Sequence, residues 1–302
     1  MKEGHQELAA PDRGRRWAMA TVVHVAGDAS PGSGARAAGV SVGARLYVDE
    51  QRVDGTLGHA GLDRQVAADA RRLLPRGQCR SFLYELADGD ELGRIVRDRQ
   101  GVVQERNAPG RVQVYIETHV PPPALVVFGA GHDALPVVEL AARVGFRVTV
   151  VDSRPAYARP ERFPQAAHVI HAHPEDVPSR VAMDPDTFVV VMTHNFRQDA
   201  AILQQIWGQP YAYLGVLGPW ERTARLLNDL RAAGHSVEQH LDRLYAPVGL
   251  DIGAEGPEQI ALAIVAELLA VRWGAGGGFL RFHKGSLHQR RRGAGGLDGE
   301  EA

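Results

Sequence analysis

The sequence has almost no cysteine: Cys79 stands alone among 302 residues. That excludes a disulfide framework and a cysteine-rich zinc site. An excess of one charge sign is also missing, with 34 Lys plus Arg against 36 Asp plus Glu, and a net charge of −2 gives nucleic acid no attractive field. No stretch reaches the roughly eighteen uninterrupted apolar residues of a membrane span, and the first twenty residues are charged with no apolar signal core. A soluble cytoplasmic protein with no nucleic-acid or membrane partner is the expectation. The length suffices for two domains with separate cores.

What is present is concentrated between Ala124 and Arg154. Leu125 to Phe128 is a short apolar run suited to a strand buried on both faces. Gly129, Ala130 and Gly131 make a turn tight enough to bring backbone N–H groups against a phosphate at a helix N-terminus. Ala134 takes the place of a third glycine and stays small enough for close helix-to-strand packing. A helical apolar period from Leu135 to Val144 ends at Gly145, Arg147 to Val151 is the second strand, and Asp152 follows at its tip. Strand, glycine turn, helix, strand and acid in this order predict a Rossmann-like, doubly wound parallel sheet.

Around that stretch the chain divides. Residues 1–17 read as a flexible start, and 18–118 as a small α+β domain. Within it, strands are expected at Ala20–Ala26, Val40–Val42, Leu46–Asp49, Arg80–Leu86 and Val112–Glu117, with a helix at Leu62–Leu74. Gly27–Arg36 is a loop and Asp54–Gly58 a glycine-marked turn. The prolines within residues 119–124 form a linker. Residues 125–274 then hold the Rossmann-like domain, with further strands at His168–His171, Phe188–Met192 and Tyr211–Leu217. Its later helices are expected at Gln198–Trp207 and Pro219–Gly234, then a linking helix and a last one from Pro257 to about Trp273. Residues 275–302 are a glycine-rich tail.

In such a sheet a ligand lies beyond the carboxyl ends of the strands, where the strand order reverses. Gly129, Gly131 and His132 are therefore placed against a phosphate or pterin phosphate, and Asp152 against a hydroxyl or ring N–H. Arg154 is placed to meet a 2′-phosphate or solvent. Thr193 and His194 end the fourth strand facing the same space, and His194 can exchange a proton near neutral pH. Gly215 and Gly218 suit close approach of a ligand to the backbone, and Asp251 is read as fixing its own loop. His168, His171 and His173 put two histidines on one strand but no third ligand at a convincing spacing, so no metal site is assigned. On these residues alone an NAD(P)-dependent oxidoreductase with His194 as acid/base stays open, and no further catalytic group is assigned.

Five stretches of the C-terminal half and one of the N-terminal half carry a family pattern. They are TVVHVAGDASPGSGAR, VVFGAGHDA with VTVVDSRPAYARPERFP, VVVMTHNFRQDAAIL, YLGVLGPWERTARL, and APVGLDIGAEGPEQIALAIVAELLA. From about Thr21 to Trp273 the chain resembles the XdhC/CoxI family, accessory factors of molybdenum hydroxylases such as xanthine dehydrogenase. The resemblance implies a non-enzymatic chaperone that binds molybdenum cofactor, protects it and hands it to the apo-hydroxylase. It also implies that the partner is a molybdenum hydroxylase, with a cysteine desulfurase and a second copy of the chain as further candidates. A regulatory relative that binds no cofactor stays open beside it.

The chain departs from the family at three places. Gly61 stands where the family turn has a cysteine, and Ala108-Pro109-Gly110 where a second one falls; Cys79 matches neither. A mechanism that uses those thiols as soft molybdenum or sulfur ligands finds none at these positions. Gly218 is followed by Pro219, Trp220 and Glu221 where the family commonly has arginines, so the next helix would begin with one donor fewer and a negative charge, which Arg222 is in a position to offset.

Overall fold

The computed structural model describes residues 16–26, 39–86, 92–96 and 110–282. The chain falls into two compact units that meet in sequence between Pro121 and Pro122.

The first unit comprises β1 (Trp17–Val25), β2 (Arg45–Val48), β3 (Val53–Gly55), α1 (Ala60–Leu73), β4 (Arg80–Leu86), β5 (Leu92–Val96) and β6 (Arg111–His119). The strands form one antiparallel sheet in the order β3-β2-β1-β6-β4-β5. Alternation along β1 buries Ala18, Ala20 and Val22 completely and leaves Trp17, Met19 and Thr21 half-buried. The core face meets Leu62, Val66, Ala70 and Leu73 of α1. Asp69 is buried with them and is satisfied: Tyr84 donates its hydroxyl at 3.0 Å, Gln65 its amide at 3.3 Å and Arg72 a guanidinium N–H at 3.2 Å. Burial first, and then the Asp69 charge, push the Tyr84 hydroxyl well above its usual range, so it remains a donor.

The second unit comprises β7 (Ala124–Phe128), α2 (Ala134–Arg143), β8 (Arg147–Asp152), β9 (His168–His171), α3 (Val177–Arg180), β10 (Phe188–Val191), α4 (Phe196–Ile206), β11 (Tyr213–Val216), α5 (Trp220–Ala232), β12 (Leu244–Tyr245) and α6 (Pro257–Trp273). Every strand pair is parallel, in the order β12-β11-β10-β7-β8-β9. The chain builds outward from β7 to one edge, returns, and builds outward from β10 to the other, so the order reverses between β7 and β10. Leu125 and Val127 of β7 face a core shared with α2 and α6, while Val126 and Phe128 face one shared with α3, α4 and α5. Helices on both faces explain why these strands are apolar at every position. Ala134 is fully buried, as its small size in the place of a third glycine implies.

Several local expectations change. Val40–Val42 is a turn, with positive φ at Gly39 and Gly43. Val53–Gly55 extends the sheet as β3, so the glycine turn starts later. β5 and the four-residue α3 carried no clear period, and the linking helix is a 3-10 segment over Val237–Arg243. The Gly27–Arg36 loop, the first fifteen residues and the tail beyond Phe282 lie outside the described residues.

Replacing Tyr84 by Phe leaves the buried Asp69 carboxylate one donor short. The expected loss is about 1–3 kcal/mol from the first unit, read as faster amide hydrogen exchange along β4 and β6 with α2 and β7 unchanged.

Candidate functional site

The site lies at the carboxyl ends of β7, β8 and β10. Gly129 has φ +112°, and a Cβ there would stand 2.5 Å from the Met192 carbonyl oxygen and 2.9 Å from Thr193 Cα. Glycine therefore lets the ends of β7 and β10 touch at the reversal point. Past it, the amide N–H groups of Gly131, His132 and Asp133 meet no acceptor among the described residues, and Asp133 leaves the start of α2 without a side-chain cap. Free amides at a helix N-terminus are a donor set for an anion.

Asp152 holds the back of this turn. One carboxylate oxygen accepts the Ala130 N–H at 2.7 Å and Arg154 Nη2 at 2.7 Å; the other accepts the Arg154 backbone N–H at 2.8 Å and Nε at 2.9 Å. Four donors fill a carboxylate's acceptor sites. Arg154 lies over the Tyr157 ring at 3.9 Å, and Arg162 is 4.8 Å from the same ring while donating to the Ala130 carbonyl at 2.7 Å. Both polar groups of Ala130 are thus tied down by side chains from the segment that begins at the end of β8. Burial works to raise the Asp152 pKa, but the hydrogen bonds from Arg154 and Ala130 and the Arg154 charge outweigh it, and the carboxyl lies below its ordinary range.

On the β10 side, Thr193 donates its hydroxyl to Asp199 at 2.5 Å, and Arg222 donates to the other Asp199 oxygen at 2.5 Å. Asp199 is buried, so this pair braces the starts of α4 and α5. Arg222 is thereby engaged with Asp199, and Pro219 sits at the cap of α5, one position before its first helical residue. His194 adopts φ +59°, unusual for a residue with a Cβ, and its Nε2 is hydrogen-bonded to Asp133 Oδ2, joining the two turns across the crevice. Asn195 caps α4 by accepting from Arg197 and Gln198, and Gln198 donates to the Ser153 hydroxyl at 3.0 Å. Val151, Ser153, Val177, Gln198 and Ile202 line a narrow cleft there.

The predicted residues Gly129, Gly131, His132, Asp152, Arg154, Thr193 and His194 are thus gathered at one end of the sheet, and Gly218 lies beside Arg222. Gly215 is corrected: a Cβ there would meet Val248 at 2.6 Å and the Tyr213 hydroxyl at 2.8 Å, so it serves core packing. Asp251 is exposed and makes no hydrogen bond among the described residues. The loop is anchored instead by Glu267, which is buried and accepts from the Gly249 N–H at 3.0 Å and the Tyr213 hydroxyl at 2.5 Å. Asp133, Ser153, Gln198 and Asp199 were missed; Asp133 directly follows the glycine turn, and that adjacency was the available signal. No cluster of three or more metal-ligating side chains occurs among the described residues. No helix among them is long and apolar enough to cross a membrane.

In the first unit, the family's cysteine position is occupied by Gly61, buried in the first turn of α1. His59 caps that helix through Nδ1, and Asp63 accepts from the Thr56 hydroxyl at 2.6 Å and the Leu57 N–H at 2.7 Å. Cys79 is exposed, its Sγ 4.0 Å from Thr118 Oγ1.

Comparison with known proteins agrees with this architecture. A family model described as the XdhC Rossmann domain matches residues 125–268, and one described as the XdhC and CoxI family matches residues 10–85. A probable xanthine dehydrogenase subunit of Bacillus subtilis is 42% identical over 159 residues, covering 53% of this chain and 46% of that protein. The uncharacterized protein YqeB of Escherichia coli is 35% identical over 229 residues, covering 75% of this chain and 40% of that one. The molybdenum cofactor insertion chaperone PaoD of Escherichia coli is 26% identical over 148 residues, covering 49% and 40%. The chain spans less than half the length of these curated relatives.

The depressed Asp152 carboxyl gives a signed pH dependence. An unfolded Asp titrates near pH ~3.9, so the ionised group stabilises the fold fully above that value and loses the contribution as pH falls through its lower folded pKa. Asp152→Asn is expected to lower stability by about 2 kcal/mol at pH 7. The gap from the unmodified chain should close on acidification below pH ~4, as thermal melts across pH would read.

Proposed function

The chain belongs to the XdhC and CoxI family, and from that premise we propose that it is an accessory factor holding molybdenum cofactor for a hydroxylase of the xanthine dehydrogenase type. The cofactor is cargo here. The observation that carries the reading is the set of free amides of Gly131, His132 and Asp133 behind the Gly129 turn, which suits the phosphate end of a pterin cofactor. Asp133 brings a negative charge to the same helix start, where its carboxylate is hydrogen-bonded to His194. Thr193 and His194 border the crevice opposite, Arg154 adds positive charge one carboxylate away from Ala130, and Gly218 supports close approach from the α5 side.

The partner receiving the cargo is a molybdenum hydroxylase. With glycine at one family cysteine position and Ala-Pro-Gly at the other, sulfur for the cofactor would come from outside these positions, and a cysteine desulfurase fits that need. A nicotinamide reading is not favoured, because the Asp152 oxygens that would accept ribose hydroxyls already accept four N–H groups of the chain.

The test is pterin content. Protein purified from a host that makes molybdenum cofactor is denatured and oxidised, and pterin fluorescence per chain is compared with Gly131→Asp. A Cβ at Gly131 would lie 2.8 Å from Asp133 Oδ1, so the variant puts a second carboxylate at the amides. Near-stoichiometric pterin that drops at least tenfold in the folded variant (about 1.4 kcal/mol of binding) is expected. Absence of pterin from the unmodified protein would sink the carrier reading and favour a regulatory relative.

A further inference from the structure

A sheet with this strand order and an acid at the tip of β8 has the frame of a nucleotide site, yet two features close it. Asp152 is almost wholly buried, and Arg154 satisfies it through its guanidinium and its backbone N–H together. The guanidinium donates to both carboxylate oxygens that a ribose diol would need, and it is held against the Tyr157 ring, which Arg162 meets in turn. Beside it, Gln198 donates to the Ser153 hydroxyl across the small cleft that both residues line with Asp152. A ribose hydroxyl competing for Asp152 would have to replace a charged, bidentate, preorganised donor with a neutral one.

We propose that Arg154 is a specificity residue that shuts ribonucleotides out of this crevice, and that removing its guanidinium opens a ribose-diol site at Asp152. The free amides at the start of α2 attract any phosphate, and nucleotides are phosphates, so the amides alone do not discriminate. Closure at Asp152 does: it leaves the phosphate donors accessible while denying a nucleotide its second point of attachment. The proposal rests on this closure and not on the cofactor reading, and pterin retention does not enter its test.

The test is calorimetric titration of the full chain with ADP and with 2′-deoxy-ADP, which differ only in the diol. Arg154→Met keeps an apolar chain over Tyr157 and removes the ion pair. It is expected to bind ADP about tenfold or more tighter than the unmodified protein, an increment of about 1.4 kcal/mol, despite the loss of a positive charge near the phosphates. The deoxy analogue should show little gain, and adding Asp152→Asn should abolish the gain for ADP. Arg154→Met is also combined with Gln198→Ala, so that the Gln198–Ser153 bond does not mask the effect, and Arg154→Gln, which is neutral, replaces it if it fails to fold by thermal melt. Equal ADP affinity before and after these substitutions, or equal gains for both nucleotides, overturns the proposal.

Discussion

Each oxygen of Asp152 accepts two N–H groups, and the head of the sheet is built on that saturation. A buried carboxylate with fewer donors would be costly; with four it becomes a rigid joint. Through Ala130 it sets the glycine turn, and through Arg154 it sets the segment after β8, whose Arg162 returns to the Ala130 carbonyl. The turn is held at both ends of one residue, so the amides that follow it are presented with little freedom. Preorganised donors of this kind bind an anion without first having to be ordered.

The second constraint is the contact of β7 with β10. Because Gly129 lies against the Met192 carbonyl, the turns after these two strands face each other across a narrow gap, and the Asp133–His194 bond spans it. Asp199 gathers Thr193 and Arg222 just behind. At this end Asp152 is paired with Arg154 and Asp199 with Arg222, Asp133 is hydrogen-bonded to His194, and Arg162 donates to backbone carbonyls. The donors that remain at the turn are backbone amides, a set that suits an anion.

Much of this was legible in the sequence. The apolar runs of β7, β8 and β10 and the period of α6 have the lengths and patterns that buried parallel strands and a packed helix require, and the glycine turn with Asp152 marks the reversal point. What the sequence did not disclose was partner choice. Asp152 reads as a ribose acceptor from its position, and only the geometry shows Arg154, two residues away, folding back on it. Gly215 reads as a ligand-facing glycine, but a tyrosine two residues earlier on the same strand, together with Val248, fills its space. Asp251 and Glu267 exchange roles for the same reason: a loop's anchor can come from a helix eighteen residues downstream, which no local pattern encodes. Short elements such as β5 and α3 are too brief to show a period.

The missing family cysteines bear on what remains for the chain to do. With Gly61 buried in the first turn of α1 and its neighbours His59 and Asp63 engaged in capping and turn bonds, that turn is built for packing and offers no soft ligand. Cys79 is exposed beside Thr118 and matches neither family position, so it does not restore one. The candidate site of the second unit is by contrast made of backbone amides and paired charges, which need no thiol. Glycine at position 61 therefore leaves untouched the amide donors proposed to hold a phosphate-bearing cargo. On the proposed reading, holding the cargo would not depend on a thiol in that turn.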